Sequence, residues 1–155
     1  MYHLSSNTYV TLRSNGSKDL FPENNPYDFN NQFCTTLNYS NKTKVALSEI
    51  HLPLNFRYIT EQANIKQIFI LSDMVDDSIV GSSRLNILKV ISVNTIKFPS
   101  NNQVELYKNL FFYPITQNSI NNIRIKITDS NGNSLKTHPD HLKELDETFI
   151  VLQFK

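Results

Sequence analysis

Apolar residues in this chain come in short runs or strict alternation, broken by polar clusters at intervals of roughly 8–15 residues, the rhythm of a β-sandwich. Eight strands are predicted. Over residues 8–13, Tyr9, Thr11 and Arg13 alternate with Val10 and Leu12. Over 29–38, Phe29, Phe33, Thr35 and Leu37 fall on one face at period two. Residues 44–52 turn Val45 and Leu47 inward and stop at Pro53, which has no amide proton to continue a ladder. Residues 66–72 and 86–98 follow, the latter long enough to require a bend or bulge, and then 107–113. Residues 122–128 set Ile123, Ile125 and Ile127 against Arg124 and Lys126, and 148–154 set Phe149, Val151 and Gln153 against Ile150, Leu152 and Phe154.

Between these segments lie turn signals. Asp129-Ser130-Asn131-Gly132 is the strongest, because Asn-Gly supplies the positive φ of a tight turn. Gly81 closes another, after the acidic turn that begins at Ser72-Asp73. Helix is limited to short turns at 60–64 and 140–145. The predicted class is therefore all-β: an eight-stranded single jelly-roll sandwich over residues 8–155, preceded by an N-terminal arm at 1–7. An immunoglobulin-like sandwich fits the spacing, but its Cys…Trp…Cys core is missing from a chain with one Cys and no Trp.

Charge narrows the partners. With 15 basic and 14 acidic residues there is no strong nucleic-acid signal, since phosphate binding needs clustered Lys and Arg. No apolar run approaches the roughly 20 residues of a membrane span. MYHLSSNTYV lacks the basic start and apolar core of a signal peptide. Synthesis in cytosol or nucleus is expected, with the sequon-like triplets at Asn38 and Asn41 unglycosylated. The lone Cys34 is expected to be a small buried apolar residue.

Catalytic patterns are missing. Gly16, Gly81 and Gly132 lie too far apart for a phosphate cradle, and there is no Gly-x-Ser-x-Gly elbow. His138-Pro139-Asp140-His141, with Glu144 nearby, gives an H-x-x-H spacing that its proline keeps off a regular helix, and it reads as an exposed polar loop. The jelly-roll cupin enzymes need an H-x-H strand motif that none of the four histidines supplies. Asp73, Asp76 and Asp77 offer hard oxygen donors but lack a calcium-loop pattern. Asp73 is simplest as a turn residue capping nearby amides. Glu49, among apolar neighbours, either faces solvent or pairs at a subunit contact. No enzyme, cofactor or metal site is predicted.

The wording of several segments is nonetheless specific. QIFILSDMVDDSIVGSSRLNILKVISV (67–93) carries an aliphatic strand ending in S-D-hydrophobic-V, then V-G, then a basic residue beside a leucine-rich strand. YVTLRSNGSKDLFPENNPYDFNNQF (9–33) carries Tyr9, Leu12, Ser14, Asn15, Ser17, Phe21, Pro22, Asn24, Phe29 and Phe33 in an S-N-x-S, aromatic-Pro-acidic-Asn, F-x-x-x-F arrangement. KVALSEIHLP reads V-x-L-x-E-I-x-x-P through Val45, Leu47, Glu49, Ile50 and Pro53. IRIKITDSNGNSL, with Asp129 and Gly132, and the closing FIVLQFK complete the set. In this order they resemble the penton-like minor capsid proteins of Polinton/Maverick-type viruses, adintoviruses and virophages. The family's usual Trp before Val45 is replaced by Thr43-Lys44, and only about 13 residues (54–66) stand where many relatives insert an outward-facing upper domain.

The resemblance implies a structural virion protein without that tower. It would form homopentamers at the fivefold vertices of an icosahedral shell, beside a double-jelly-roll major capsid protein. The competing reading is a non-enzymatic β-sandwich binding module, lectin-like or ligand-binding, whose many Asn side chains and tyrosines would meet sugar hydroxyls.

Overall fold

Period-two alternation sorts these side chains into an inside and an outside. The computed structural model describes residues 7–53, 56–95, 103–136 and 147–155. Along them run β1 (Thr8–Arg13), β2 (Asp28–Asn38), β3 (Lys44–Leu52), α1 (Phe56–Gln62) and β4 (Gln67–Ser72). β5 (Ser78–Val80), β6 (Ser83–Leu85), β7 (Ile87–Ser92) and a 3₁₀ turn (Val93–Thr95) follow. β8 (Gln103–Leu106), β9 (Tyr113–Pro114), β10 (Ser119–Asp129) and β11 (Phe149–Phe154) complete the series. The described residues are all-β apart from α1 and the 3₁₀ turn, and no helix among them is long and apolar enough to cross a membrane.

Two sheets hold most strands. Sheet A runs β1-β11-β3-β8, with β9 also on β3; sheet B runs β2-β10-β4-β7; β5 and β6 form a separate hairpin. The core is one cluster drawn from both sheets: Leu12, Val45, Leu47, Ile50, Leu52, Ile150, Leu152 and Phe154 from A, and Phe29, Ile68, Ile70, Leu88, Ile91, Ile123, Ile125 and Ile127 from B. Ile123, Ile125 and Ile127 of β10 are each fully buried, as their spacing predicts. Phe154 stacks on Tyr39 with ring centroids 4.5 Å apart and planes 9° from parallel.

Bulges reset the alternation. In β3, Leu47 pairs with Leu152 and Glu49 with Val151, so Ser48 is an extra residue. The inward set therefore switches from Val45 and Leu47 to Ile50 and Leu52. Ser48 Oγ donates to the Val151 carbonyl at 3.0 Å, and its own carbonyl accepts from Tyr107 N at 3.0 Å.

This bulge corrects the strand expected at 107–113. The chain instead pairs with β3 twice, as β8 before the bulge and as β9 beyond it, and is not a strand between. One flat strand cannot follow a neighbour that kinks midway. The length of 86–98 is resolved as expected by a bulge, Leu88 being extra between Ile87 and Lys89, and the strand then ends in the 3₁₀ turn. Residues 96–98 lie outside the described residues, as do the 140–145 turn, the His138–His141 loop with Glu144, and arm residues 1–6.

Two further expectations are corrected on β2. Its register with β10 jumps from Asn122↔Gln32 to Ile120↔Leu37, so residues 33–36 bow away from the ladder. Phe33 still packs on the core, but Thr35 is exposed instead of sharing its face, and Cys34 is exposed rather than buried. The helical turn also starts earlier than 60–64, at Phe56, because Phe56 is fully buried and anchors α1 to the core.

The Gly81 turn closes a small hairpin, β5–β6, whose Val80 and Leu85 pack on Phe69, Leu71 and Ile87. This second cluster covers part of sheet B's outer face. The Asp129–Gly132 turn meets it from the side. Gly132 has φ +83°, and a Cβ there would lie 3.2 Å from Leu85 Cδ2, whereas Gly81 (φ +59°) has open space around the same position. Gly132→Ala should cost about 1–2 kcal/mol from the left-handed backbone alone, plus the Leu85 contact; Gly81→Ala should cost only the backbone part. Thermal melts of the two variants check this, and equal losses would remove Leu85 from the account.

Candidate assembly surface

Nearly every residue that carries the family-like wording is structural in this fold. The loop from β1 to β2 leaves sheet A for sheet B, and polar side chains substitute there for missing ladder bonds. Asn31 Oδ1 accepts from Arg13 N at 2.7 Å, and Asn31 Nδ2 donates to the Arg13 carbonyl at 2.7 Å. Asn24 does the same for Asn30, accepting from its amide at 2.9 Å and donating to its carbonyl at 2.8 Å. Ser17 Oγ accepts from Gln32 N, and Ser14 exchanges backbone and hydroxyl bonds with Thr148. Pro22 stands exposed in this loop; Phe29 is buried beneath it.

Elsewhere the matched positions are core or turn. Val45, Leu47 and Pro53 are buried in and after β3. Asp129 closes its turn as an acceptor for the amides of Asn131 (2.9 Å) and Asn133 (3.0 Å). Asp73 caps β10 where β4 turns away: its Oδ1 accepts from Arg124 N at 3.0 Å. Local desolvation raises the Asp73 carboxyl above its ordinary value, against the opposing pull of the Arg124 amide and guanidinium. That guanidinium forks onto Asp28 (3.0 and 2.9 Å), tying β10 to β2. Asp76 and Asp77 are exposed, and no three His, Cys, Asp or Glu side chains among the described residues gather in a metal-holding group.

Glu49 does not stand alone on the surface. Half-buried on the outer face of sheet A, it pairs with His51 Nε2 two residues along the same strand. His51 lies 5.8 Å from the Phe149 ring, tilted at 53°, and Arg13 lies over that ring at 5.0 Å. Arg13 also bonds Glu147 at 2.9 Å. The register sets Thr11, Val151, Glu49 and Leu106 in one row across this face, beside the row of Arg13, Phe149 and His51. The sheet surface thus carries apolar and aromatic groups interleaved with paired charges, and Tyr9 (63% exposed) and Leu106 (67%) stand at its two margins.

Concave features among the described residues are open and shallow. A cleft of about 540 Å³ lies between the β1–β2 loop and Arg124, and one of about 410 Å³ is lined by Asn64, Lys66, Asn94 and Asn131. Neither brings together a nucleophile, a base and a partner to orient them. Arg13, Asn31, Arg124 and Phe149 were not singled out in the sequence. Asn31 had a readable signal: it holds the period-two position between Phe29 and Phe33, where an apolar residue is expected. Compared with models of known protein families and with curated proteins, the chain matches none.

Proposed function

We propose that this chain is a penton-like minor capsid subunit, folded as a single jelly roll and assembling as a homopentamer at icosahedral vertices beside a double-jelly-roll major capsid protein. The observation that carries the reading is the strand order. Apart from the β5–β6 hairpin and the two-residue β9, eight strands remain, split as β1-β11-β3-β8 and β2-β10-β4-β7. Such interleaving, with the first strand beside the last and the second beside the penultimate, is what nested Greek keys produce in a jelly roll.

Supporting it are the family-like segments, which supply the loop clasps and turns of this layout. The outer face of sheet A suits contact with protein better than the open clefts suit a small ligand. A five-membered ring needs heterologous contacts, one flank of a subunit against the other flank of its neighbour. The virion vertex is then the protein's destination.

Native mass measurement of the purified protein, alone and co-expressed with a double-jelly-roll partner, tests this. A fivefold species or incorporation at particle vertices is expected. A protein that stays monomeric with the partner and binds glycans saturably would establish the binding-module reading instead.

A further inference from the structure

We propose that copies of this chain join head-to-tail by antiparallel pairing of the free edge of β1 in one copy with the free edge of β8 in the next. The choice of a second copy as occupant rests on the assembly reading above; the choice of edges rests on the backbone.

In β1, Ser14 N donates to the Thr148 carbonyl, which fixes the parity of the ladder with β11. Residues 8, 10, 12 and 14 point their amides and carbonyls at β11, so those of Tyr9, Thr11 and Arg13 point away. The Asn31 clasp confirms that direction, because it takes both outward groups of Arg13. Tyr9 and Thr11 are left open, with no backbone hydrogen bond on that side among the described residues. In β8, Tyr107 N donates to Ser48 O, so Leu106 and Val104 point their backbone groups away from β3. Among the described residues, each end of sheet A therefore offers two alternate residues with open donors and acceptors.

The two ends match in other respects. All pairings along β1-β11-β3-β8 are antiparallel, so β1 and β8 run in opposite directions and a translated copy meets β1 with an antiparallel β8. The register that uses every open group sets Tyr9 against Leu106 and Thr11 against Val104, each pair exchanging two bonds. Tyr9 and Leu106 both project from the outer face and are both largely exposed, so this register covers them with each other. Proteins that keep such edges apart place Lys, Pro or a bulge on them. Residues 8–12 of β1 carry none of these, whereas β2, the neighbouring edge of sheet B, bows out at 33–36.

The test uses full-length protein with Cys34→Ser. Tyr9→Cys and Leu106→Cys are introduced in separate preparations, mixed, and treated with a short bismaleimide. A several-fold excess of the mixed covalent dimer over either like-with-like dimer is expected. Thr11→Pro and Leu106→Pro each remove one outward amide without touching the ladder inside the subunit, and each should abolish multimers while leaving the circular dichroism spectrum unchanged. Predominant Tyr9→Cys self-linkage, absence of any cross-link, or multimers that survive both prolines would overturn the proposal. A closed fivefold species that survives both prolines sinks the edge pairing alone. Edge-linked chains of unlimited length would sink the ring and keep the edges.

Discussion

Phe154→Ala should lower the free energy of unfolding by about 3–5 kcal/mol, the range for removing a fully buried phenylalanine. Phe154 is 1% exposed, and its ring is sandwiched into the core against Tyr39 at 4.5 Å. The stacked pair adds about 0.5–1.5 kcal/mol beyond burial, which places the loss toward the upper end of that range. Tyr39 lies just beyond the end of β2, so this contact joins the last strand of sheet A to the exit of sheet B. A domain of ordinary stability has only about 5–15 kcal/mol in total, so the variant should be marginal at 37 °C. Urea denaturation followed by tyrosine fluorescence measures the loss. Ile79→Ala, at a side chain 79% exposed, is the control and should change stability by no more than about 0.5 kcal/mol. If the two variants behave alike, the layered core described above is wrong.

Asn31→Leu should be the next most damaging single change, at about 1–3 kcal/mol for two partly buried hydrogen bonds lost, with Arg13 N left without its acceptor while the Arg13 carbonyl keeps Gly16 N. Leucine has similar volume and would fit a site that is 7% exposed, so the loss isolates the amide's bonding from its bulk. Asn31→Asp makes the sharper test. The acceptor facing Arg13 N survives, but the Nδ2 donor to the Arg13 carbonyl is replaced by an oxygen. Protonated, that oxygen can donate; ionised, it opposes the carbonyl. The folded state then favours the protonated acid, so the carboxyl's folded value lies above its unfolded value near 4. Stability is retained below that unfolded value and lost as pH rises through the folded one. Denaturation midpoints from pH 3.5 to 7 should fall for Asn31→Asp relative to the unmutated protein. A flat difference would mean that the clasp contributes nothing.

Much of the fold was legible because burial and strand geometry share a period of two. Residues 8–13 and 149–154 alternate cleanly, and each is a strand whose inward residues are buried or half-buried, whereas 44–52 keeps its inward set only by changing step at Ser48. The same rule failed wherever the backbone broke step. At Thr35 an excursion in β2 carried an expected interior position outward, and at 107–113 a bulge on the opposite strand split one expected strand into two. Neither break leaves a mark in local composition, because its cause lies on a partner strand distant in sequence.

The candidate surface was harder to read for the same reason. Glu49 stood out as a carboxylate among apolar residues, but its partner His51, the Phe149 ring and Arg13 come from three strands, and only the register of sheet A sets them side by side. The open edges of β1 and β8 are further from view still. Which amides point outward depends on the phase of each ladder, and that phase is set by pairing rather than by residue type.

Local chemistry along the chain, then, determined an all-β protein, most of its strands, its tight turns at Gly81 and Gly132, and the identity of its core isoleucines, since each depends on near neighbours and on solvent alone. Tertiary structure decided strand order, bulge positions, the side-chain clasps of the β1–β2 loop and which sheet edges stay unpaired, because those follow from hydrogen bonds between segments that meet only once the two sheets have closed on each other.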